Sequence, residues 1–381
     1  MNKAVIAIDS FKGSLNTFQA GEAIKEGIKK VYTDAQVIIS PVADGGEGTV
    51  DAIIAATGGE MAKVTVHNPL GELIQSSYGI IPGAKTAVIE MSGAAGITLI
   101  SENMRNPLHT TTYGVGEMIK DAIMRGCREF IIGIGGSATN DGGVGMLQAL
   151  GFEFLDCSER QVPFGALGLK EIVKIKTDNA LEELKDCTFS VACDVKNVLC
   201  GENGCSAVYG PQKGATAEMI KDMDLWLGEY AKLTKEVLPS SDAKMPGTGA
   251  AGGMGFALLS YLDASLVSGI ELVMKATGLQ EHIKDADIVV TGEGRMDGQS
   301  YMGKTPVGVA SLAKKYNKPV IAFSGCVTED AAICNEYGID AFFPIVRTPC
   351  TLQEAMDIHN ANKNLRDTTE QVFRLIKTIL K

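Results

Sequence analysis

Residues 4–8 read AVIAI and run directly into DSFKGS at residues 9–14. A short, unbroken run of apolar and mostly branched side chains is typical of a strand that is buried on both faces of a parallel sheet. Apolar side chains at helical spacing follow over residues 20–31, and a second apolar run at 37–42 leads into ADGGEGT at 43–49. The beginning of the chain therefore predicts two strand-then-helix units, each with a glycine-containing loop after its strand.

The end of the chain repeats this pattern. Short apolar runs occupy residues 288–291, 320–324 and 341–344, and the helical stretches beside them include 307–316. Two strands at one end and three at the other are each few for a stable sheet, but together they make a doubly wound sheet of ordinary size. The pattern predicts the α/β class and one discontinuous, Rossmann/flavodoxin-like domain with a parallel sheet.

The middle of the chain predicts a second α/β domain inserted into the first. Residues 73–81 and 85–91 are strand-like and flank a Pro-Gly turn, which indicates a hairpin. We place the first domain at residues 1–66 plus 285–381 and the inserted domain at 67–284, with the active site in the cleft between them. An arrangement of two or three consecutive domains stays open as the alternative.

Composition excludes several classes of function. The chain has 381 residues, and its 35 Lys plus Arg against 46 Asp plus Glu give a net charge of −11. This acidic balance argues against a surface that binds nucleic acid or anionic lipid. No apolar stretch is long enough for a signal peptide or a membrane span. The nine cysteines are scattered and lack the spacing of metal ligands, which fits reduced thiols. We therefore expect a cytoplasmic protein without a nucleic-acid or membrane partner.

The loops after the first two strands are candidates for a ligand site. Asp9 follows the first strand directly, and residues 43–49 follow the second. In an open parallel sheet the carboxyl ends of the strands border the ligand crevice. A carboxylate there can bind Mg²⁺ or accept a hydroxyl proton, and glycines let backbone N–H groups approach a phosphate. The alternative is that these residues only form turns, for which Asp and Gly are common.

A third loop follows the apolar run at residues 130–134. Residues 135–143 are small and mostly polar, and a helical pattern comes next, which is the arrangement of an anion site. Gly133, Gly135 and Ala138 also satisfy the loose dinucleotide motif GxGxxA, but the acidic residue expected about 20 residues later is not convincingly placed. A nicotinamide-binding protein is therefore the weaker interpretation.

A fourth loop matches GxxxxGK(S/T) at residues 298–305. In a phosphate-binding loop the first glycine follows directly on a strand, whereas here residues 292–297 separate it from the predicted strand end. Pro306 suits the first turn of a helix that starts after Lys304, with Thr305 as its N-cap. The sequence thus argues against a true phosphate-loop fold. Lys304 either meets a phosphate or is a solvated surface side chain.

Taken together, the loops resemble the glycerate kinase family, of the glycerate 2-kinase type. Six blocks in order carry the resemblance: DSFKGS at 9–14, ADGGEGT at 43–49, IGIGGSATNDGG at 132–143, CDVKN at 193–197 with YGPQKGA at 209–215, GAAGGMGFAL at 249–258, and TGEGRMDGQS with GK at 291–304. The resemblance implies ATP-dependent phosphorylation of D-glycerate with Mg²⁺, on two α/β domains with a cleft between them. One block departs from the family pattern DVxNPLxGxxGA, because Val198 replaces the proline and Cys205 the final alanine.

Phosphoryl transfer needs amides and cations around the phosphates, carboxylates on Mg²⁺ and one carboxylate near the acceptor hydroxyl. Asp194 is the leading candidate for that last group, because it ends the apolar run 189–193 and faces a glycine-rich loop. The candidate catalytic residues are Asp194, Lys12, Asp297 and Asp141. The candidate substrate- and nucleotide-binding residues are Asp9, Ser10, Gly13, Ser14, Gly45, Gly46, Gly48, Gly135, Gly136, Ser137, Thr139, Asn140, Asn197, Arg295 and Lys304, and the candidate metal ligands are Asp44, Glu47 and Glu293.

Three other functions stay open from the sequence: another Mg²⁺-dependent small-molecule kinase, a nicotinamide-dependent dehydrogenase, and a non-catalytic anion-binding module. The acidic loops disfavour the last of these, since they would repel a carboxylate ligand. We expect 2-phosphoglycerate rather than 3-phosphoglycerate as the product by resemblance alone, and the sequence does not indicate an oligomeric state.

Overall fold

The computed structural model describes residues 1–298, 300–302 and 304–379. In these ranges the strands are β1 (Lys3–Ile6), β2 (Gln36–Ile39), β3 (Glu60–His67), β4 (Leu73–Ile81), β5 (Thr86–Glu90), β6 (Glu129–Gly133), β7 (Glu153–Leu155), β8 (Lys174–Lys176), β9 (Thr188–Ala192), β10 (Ser265–Val267), β11 (Ile288–Met296), β12 (Val320–Val327) and β13 (Ala341–Pro344). The α-helices are α1 (Thr17–Lys29), α2 (Thr49–Thr57), α3 (Ser92–Ala95), α4 (Tyr113–Met124), α5 (Val144–Ala149), α6 (Ala166–Leu169), α7 (Cys205–Tyr209), α8 (Ala217–Val237), α9 (Ala250–Tyr261), α10 (Gly269–Ala276), α11 (Leu279–Ile283), α12 (Thr305–Lys314), α13 (Leu352–Met356) and α14 (Ile358–Ile379). Among these described helices, none is long and apolar enough to cross a membrane.

The chain divides into two compact units. The first unit contains residues 1–44, 51–57 and 270–381, and the second contains 45–50 and 58–269. Relative to the boundaries expected from the sequence, residues 58–66 and also 45–50 belong to the second unit, and residues 270–284 belong to the first. The difference at residues 58–66 arises because β3 pairs along its whole length with β4 of the second unit.

The first unit is built on a parallel sheet with the strand order β13-β12-β11-β1-β2. β1 lies next to β2 on one side and next to β11 on the other, with Ala4 opposite both Val37 and Ile288. The five predicted strands therefore form one sheet, and the predicted fold class, a doubly wound parallel sheet whose chain is interrupted by a second α/β domain, is confirmed. The strand order changes direction between β1 and β11, so the carboxyl ends of these two strands mark the switch point where such sheets bind ligands.

The strand β11 is longer than the sequence analysis predicts. Its pairing with β12 continues past Thr291 to Met296, which lies opposite Val327. Gly292 makes this possible, because a Cβ atom at that position would lie 1.9 Å from the carbonyl oxygen of Phe323. The expected strand end at residue 291 is therefore wrong, and only Asp297 separates the strand from Gly298.

The second unit is built on a mixed sheet with the order β10-β9-β6-β5-β4-β3. β5, β6, β9 and β10 are parallel to one another, whereas β3 and β4 run antiparallel at one edge. The predicted hairpin is confirmed, since β4 and β5 pair in antiparallel fashion on either side of the Pro-Gly turn. A separate pair of short strands, β7 and β8, is also antiparallel.

The parallel part of this second sheet is tightly packed. Phe130 of β6 lies opposite Phe189 of β9, and the two buried rings stack with their centroids 4.8 Å apart. Such aromatic pairing between neighbouring strands stabilises the register of the sheet. It fixes the loops that follow β6 and β9, which carry several of the candidate residues.

Candidate active site

A cavity of about 830 Å³ lies in the first unit, at the carboxyl ends of β1 and β11. It is lined by the loop after β1, by the end of β11 and by the segment that runs from residue 344 to residue 364. Nine of the candidate residues line this cavity together: Asp9, Ser10, Lys12, Ser14, Asp44, Glu293, Arg295, Asp297 and Lys304. Gly13 lies in the same loop as Lys12 and has a left-handed backbone, with φ of 79°.

Asp9 is the most deeply buried carboxyl group of the cavity, with 5% of its surface exposed. Its Oδ1 accepts a hydrogen bond of 2.6 Å from the backbone N–H of Ser10, and its Oδ2 accepts one of 3.0 Å from the hydroxyl of Thr305. Burial and the nearby charge of Asp44 raise the pKa of Asp9 to about 6, against the effect of these two donors. The group therefore changes its charge close to neutral pH.

Glu293 has a related environment. The hydroxyl of Ser300 donates a hydrogen bond of 2.6 Å to its Oε1. Burial, followed by the charges of Asp9 and Asp297, raises the pKa of Glu293 to about 7, although Ser300 and Lys304 act in the opposite direction. Two carboxyl groups of one cavity thus titrate above their usual range, which is common where carboxylates bind cations or transfer protons.

Three cationic side chains balance these carboxylates. Lys12 lies 3.3 Å from Asp44, and Arg295 and Lys304 each lie 3.4 Å from Asp297. Burial lowers the pKa of Lys12, but Asp44, Asp9 and Glu293 outweigh it and raise the pKa above its usual value. Lys12 therefore stays charged, and it lines the cavity together with Arg295 and Lys304, whose donor groups are able to contact phosphate oxygens.

The helix α12 begins one residue earlier than the sequence predicts, so the assignment of Thr305 as its N-cap is wrong. The N-cap is Lys304, whose side chain makes no capping hydrogen bond, and Pro306 still lies in the first turn. Thr305 is buried and bonds to Asp9. Of the GxxxxGK(S/T) match at 298–305, positions 299 and 303 lie outside the described residues.

The chain passes from the first unit to the second between Asp44 and Gly45. In the second unit the backbone of Gly45 lies close to the end of β9. A Cβ atom at Gly45 would lie only 2.4 Å from the Cβ of Ala192. The carbonyl oxygen of Gly45 lies against Gly133 at the end of β6 in the same way. Glu47 is exposed, and Gly46 and Gly48 are half-buried.

The loop after β6 has an exposed part and a buried part. Gly135 and Gly136 are exposed, and Ser137 keeps 8% of its surface accessible. Thr139 and Asn140 are fully buried and serve as contacts within the unit. The carbonyl oxygen of Thr139 accepts a hydrogen bond of 2.6 Å from the ammonium group of Lys213, and the amide of Asn140 donates one of 2.8 Å to Ser206. Only the exposed part of the loop is open to a ligand.

Asp141 lies in the buried part and is 1% exposed. Its carboxylate accepts hydrogen bonds from the backbone N–H and the hydroxyl of Thr112, both at 2.8 Å, and from the N–H groups of Gly143 and Gly145 at 3.1 Å and 3.3 Å. Burial raises the pKa of Asp141, and these donors oppose that effect. Four donors within the protein occupy the carboxylate, and these contacts hold the loop after β6 in place. A catalytic role of Asp141 stays a prediction from the sequence.

Lys213 is a residue that the sequence analysis does not single out. It is fully buried, and burial lowers the pKa of its ammonium group to about 8. Its position within the YGPQKGA block is the signal that was available in the sequence. Together with Asp141 it fixes the loop after β6 from inside the unit.

Asp194 follows β9 and is exposed. Its Oδ1 accepts a hydrogen bond of 3.1 Å from the N–H of Gly269, the first residue of α10. Asn197 is held between the hydroxyl of Tyr209, at 2.7 Å, and the carbonyl oxygen of Asn203, at 2.9 Å. Asn197 therefore shapes the loop, whereas the carboxylate of Asp194 is accessible to a substrate.

The block that departs from the family pattern keeps a defined backbone. Cys205 is buried, and its thiol donates to the carbonyl oxygen of Leu199 at 3.2 Å. Gly249 lies against the carbonyl oxygen of Val198, which a Cβ atom at Gly249 would approach to 2.2 Å. The loop that carries Asp194 and Asn197 is thus packed at both ends.

Comparison with known proteins shows the family of this chain. The model of the glycerate kinase family matches residues 4–377. A glycerate kinase of Haemophilus influenzae is 47% identical over 374 residues, which cover 98% of each chain, and a glycerate 2-kinase of Escherichia coli is 47% identical over 371 residues, which cover 96% of this chain and 97% of that one. A crystal structure of a protein described as glycerate kinase 2 from Salmonella typhimurium LT2 superposes with a TM-score of 0.90 at 44% identity, covering 99% of this chain and 98% of that chain. With matches that run from one end of the sequence to the other, this chain belongs to the glycerate kinase family.

Proposed function

We propose that this protein transfers the γ-phosphoryl group of ATP to D-glycerate and forms 2-phosphoglycerate. The observation that carries the proposal is the cavity of the first unit, where four carboxyl groups and three cations line the switch point of a doubly wound sheet. The relatives named glycerate kinase and glycerate 2-kinase support glycerate as the substrate. The assignment of the 2-phosphate product follows the name of the Escherichia coli relative.

Mg²⁺ is part of the proposal. In the part of the chain that the structure describes, no three His, Cys, Asp or Glu side chains form a ready-made metal cluster. Mg²⁺ is commonly held by one or two carboxylates together with substrate phosphates, and carboxylate oxygens are the donors that it prefers. Asp44 and Glu293 of the cavity fit this requirement. When bound, the ion neutralises charge on the phosphate oxygens.

The cations of the cavity contact the phosphates in this proposal. Lys12, Arg295 and Lys304 all line the cavity, and each one is paired to an aspartate that holds it near the switch point. A cation near the transferred group stabilises the charge that is spread over its oxygens in the transition state. Asp9 and Glu293 lie in the same region, and the pKa values of both carboxyl groups are raised.

The second unit contributes the groups for the acceptor. The exposed carboxylate of Asp194 is the proposed acceptor of the hydroxyl proton. Gly135, Gly136 and Ser137 present backbone at the accessible part of their loop, which suits an anionic group such as the carboxylate of glycerate. A cytoplasmic location remains our proposal, and it agrees with nine cysteines that are all free thiols.

A coupled assay tests the reaction. We expect ADP formation to require D-glycerate and to stop in EDTA, with L-glycerate as the matched control for the acceptor. Enolase with pyruvate kinase should detect the product without added phosphoglycerate mutase. Product detection only after the mutase is added would assign 3-phosphoglycerate, and ADP formation without glycerate would contradict the proposed acceptor. Stabilisation by NADH rather than by ATP in a melting experiment would favour the dehydrogenase alternative.

A further inference from the structure

The cavity of the first unit has an apolar wall besides its charged groups. This wall is formed by Ile345 and Val346 after β13 and by Leu352, Ala355 and Met356 of α13. Glycerate is a small hydroxy acid without an apolar surface, so it has no use for such a wall. Cavities of about 300–1,000 Å³ take ligands of the size of a nucleotide, and this one, at about 830 Å³, lies within that range.

Asn364 is a polar side chain that lines the cavity together with this apolar wall. It lies on α14, one turn after Ala361, and both residues line the cavity. In the described part of the chain the half-buried amide of Asn364 makes no hydrogen bond to the protein. The hydroxyl of Thr351, which also lines the cavity, is already bonded to Glu354 in the cap of α13. The amide of Asn364 is therefore available to a ligand.

We propose that the adenine of ATP binds against this apolar wall and that the amide of Asn364 pairs with its polar edge. The inference rests on the proposed function, in which ATP is the phosphoryl donor. An amide offers one acceptor and a pair of donors, and the adenine edge offers an amino donor beside a ring-nitrogen acceptor. The triphosphate then extends towards Lys12, Arg295 and Lys304, which line the same cavity.

The variant Asn364→Leu tests the contact, because leucine has nearly the same size and no polar group. We expect the Kd of MgADP, measured by titration calorimetry without glycerate, to rise about tenfold. In turnover the KM for ATP should rise while the KM for D-glycerate stays the same. Asn362→Leu is the matched control, since Asn362 lies on the same helix and does not line the cavity.

The variant Asn364→Asp tests recognition of the base edge itself. A carboxylate only accepts hydrogen bonds, so it opposes the ring-nitrogen acceptor of adenine, whereas guanine presents two neighbouring donors. We expect the ratio of kcat/KM for ATP to kcat/KM for GTP to fall by at least about tenfold. If Asn364 had a purely structural role, its substitution would lower kcat/KM for ATP and kcat/KM for GTP by the same factor.

These measurements separate the inference from the proposed function. An Asn364→Leu protein that melts like the wild type and binds MgADP with unchanged affinity overturns the nucleotide assignment, even if the wild type phosphorylates glycerate. Weakened MgADP binding in a protein that fails to phosphorylate glycerate keeps the nucleotide site and contradicts only the substrate. An equal loss with ATP and GTP in Asn364→Asp also counts against the pairing.

Discussion

The hydroxyl of Thr305 donates a hydrogen bond of 3.0 Å to Oδ2 of Asp9, across 296 residues of chain. Asp9 follows the first strand of the protein, and Thr305 is the first residue of α12. Both side chains are buried at the switch point of the first sheet. The bond therefore joins two separate stretches of the chain that builds the first unit, 1–44 and 270–381, next to the cavity where we place the phosphates.

The first prediction concerns the pH dependence of turnover. The Thr305 hydroxyl favours the ionised form of Asp9, so Thr305→Val should raise the pKa of Asp9 above its value of about 6. If ionised Asp9 is required, the acid limb of the kcat/KM profile moves to higher pH, with a severalfold loss at pH near 6 and little loss at pH 8. Thr305→Ser keeps the donor and serves as the control. An unshifted acid limb in Thr305→Val would show that Asp9 does not control this limb.

The second prediction concerns stability. Because burial raises the pKa of Asp9 above that of an unfolded Asp, the favourable contribution of protonated Asp9 is present at low pH and is lost as the pH rises through about 6. Asp9→Asn should therefore raise the free energy of unfolding above pH 6, by about 3 kcal/mol at most, while lowering turnover. The gain in Tm should disappear as the pH falls towards 4.

Glu293→Gln provides the matched comparison, because its pKa is raised to about 7. Its gain in Tm should appear at a higher pH than that of Asp9→Asn. Variants that are destabilised at every pH would contradict the assignment of raised pKa values to these groups.

The third prediction separates Asp141 from the chemistry. Asp141→Asn puts an amide where four donors now converge on a carboxylate, so at least one N–H faces another donor. We expect a loss of about 2–4 kcal/mol in the free energy of unfolding. At a temperature where the variant is folded, its kcat should stay within a few-fold of the wild type. A fully stable variant with no turnover would return Asp141 to the catalytic residues.

The fourth prediction concerns Asp194. Asp194→Asn keeps an oxygen for the N–H of Gly269 but removes the base, so kcat should fall by at least about tenfold with unchanged Tm and unchanged MgADP affinity. Asp178→Asn is the control, since Asp178 is an exposed aspartate in the same unit. Near-normal turnover of Asp194→Asn would transfer the role of proton acceptor to Asp297.

The fifth prediction uses the thiols of the cavity. Cys326 and Cys350 are exposed and line the cavity of the first unit, whereas Cys157 is exposed in the second unit. MgADP should slow the alkylation of Cys326 and Cys350 severalfold and leave Cys157 unaffected, as followed by peptide mass spectrometry. Equal labelling of all three thiols with and without MgADP would place the nucleotide elsewhere.

Much of the fold could be predicted from the sequence. The apolar runs at 4–8, 37–42, 288–291, 320–324 and 341–344 predict the five strands of one sheet, because a strand buried on both faces needs continuous apolar side chains. The hairpin of β4 and β5 follows from its turn residues. The extension of β11 could not be predicted, since residues 292–296 are largely small or charged and pair only because β12 lies beside them.

The site shows the same division. Glycine-rich loops after strands identified the regions that carry chemistry, and nine of the candidates lie around one cavity. The loop sequences could not separate Asp141 from Asp194, because both aspartates lie in a loop that follows a strand. One of them is buried and the other is exposed. Burial and the direction of hydrogen bonds decide between them, and neither is a property of the local sequence.

The strands, the glycine loops and the family can be predicted from the sequence, because apolar periodicity and turn chemistry act between near neighbours in the chain. The bond between Thr305 and Asp9 and the position of Asn364 in the same cavity depend on the tertiary structure. These contacts join residues that are hundreds of positions apart. They form because burying the two sheets brings distant strand ends together, which no local pattern records.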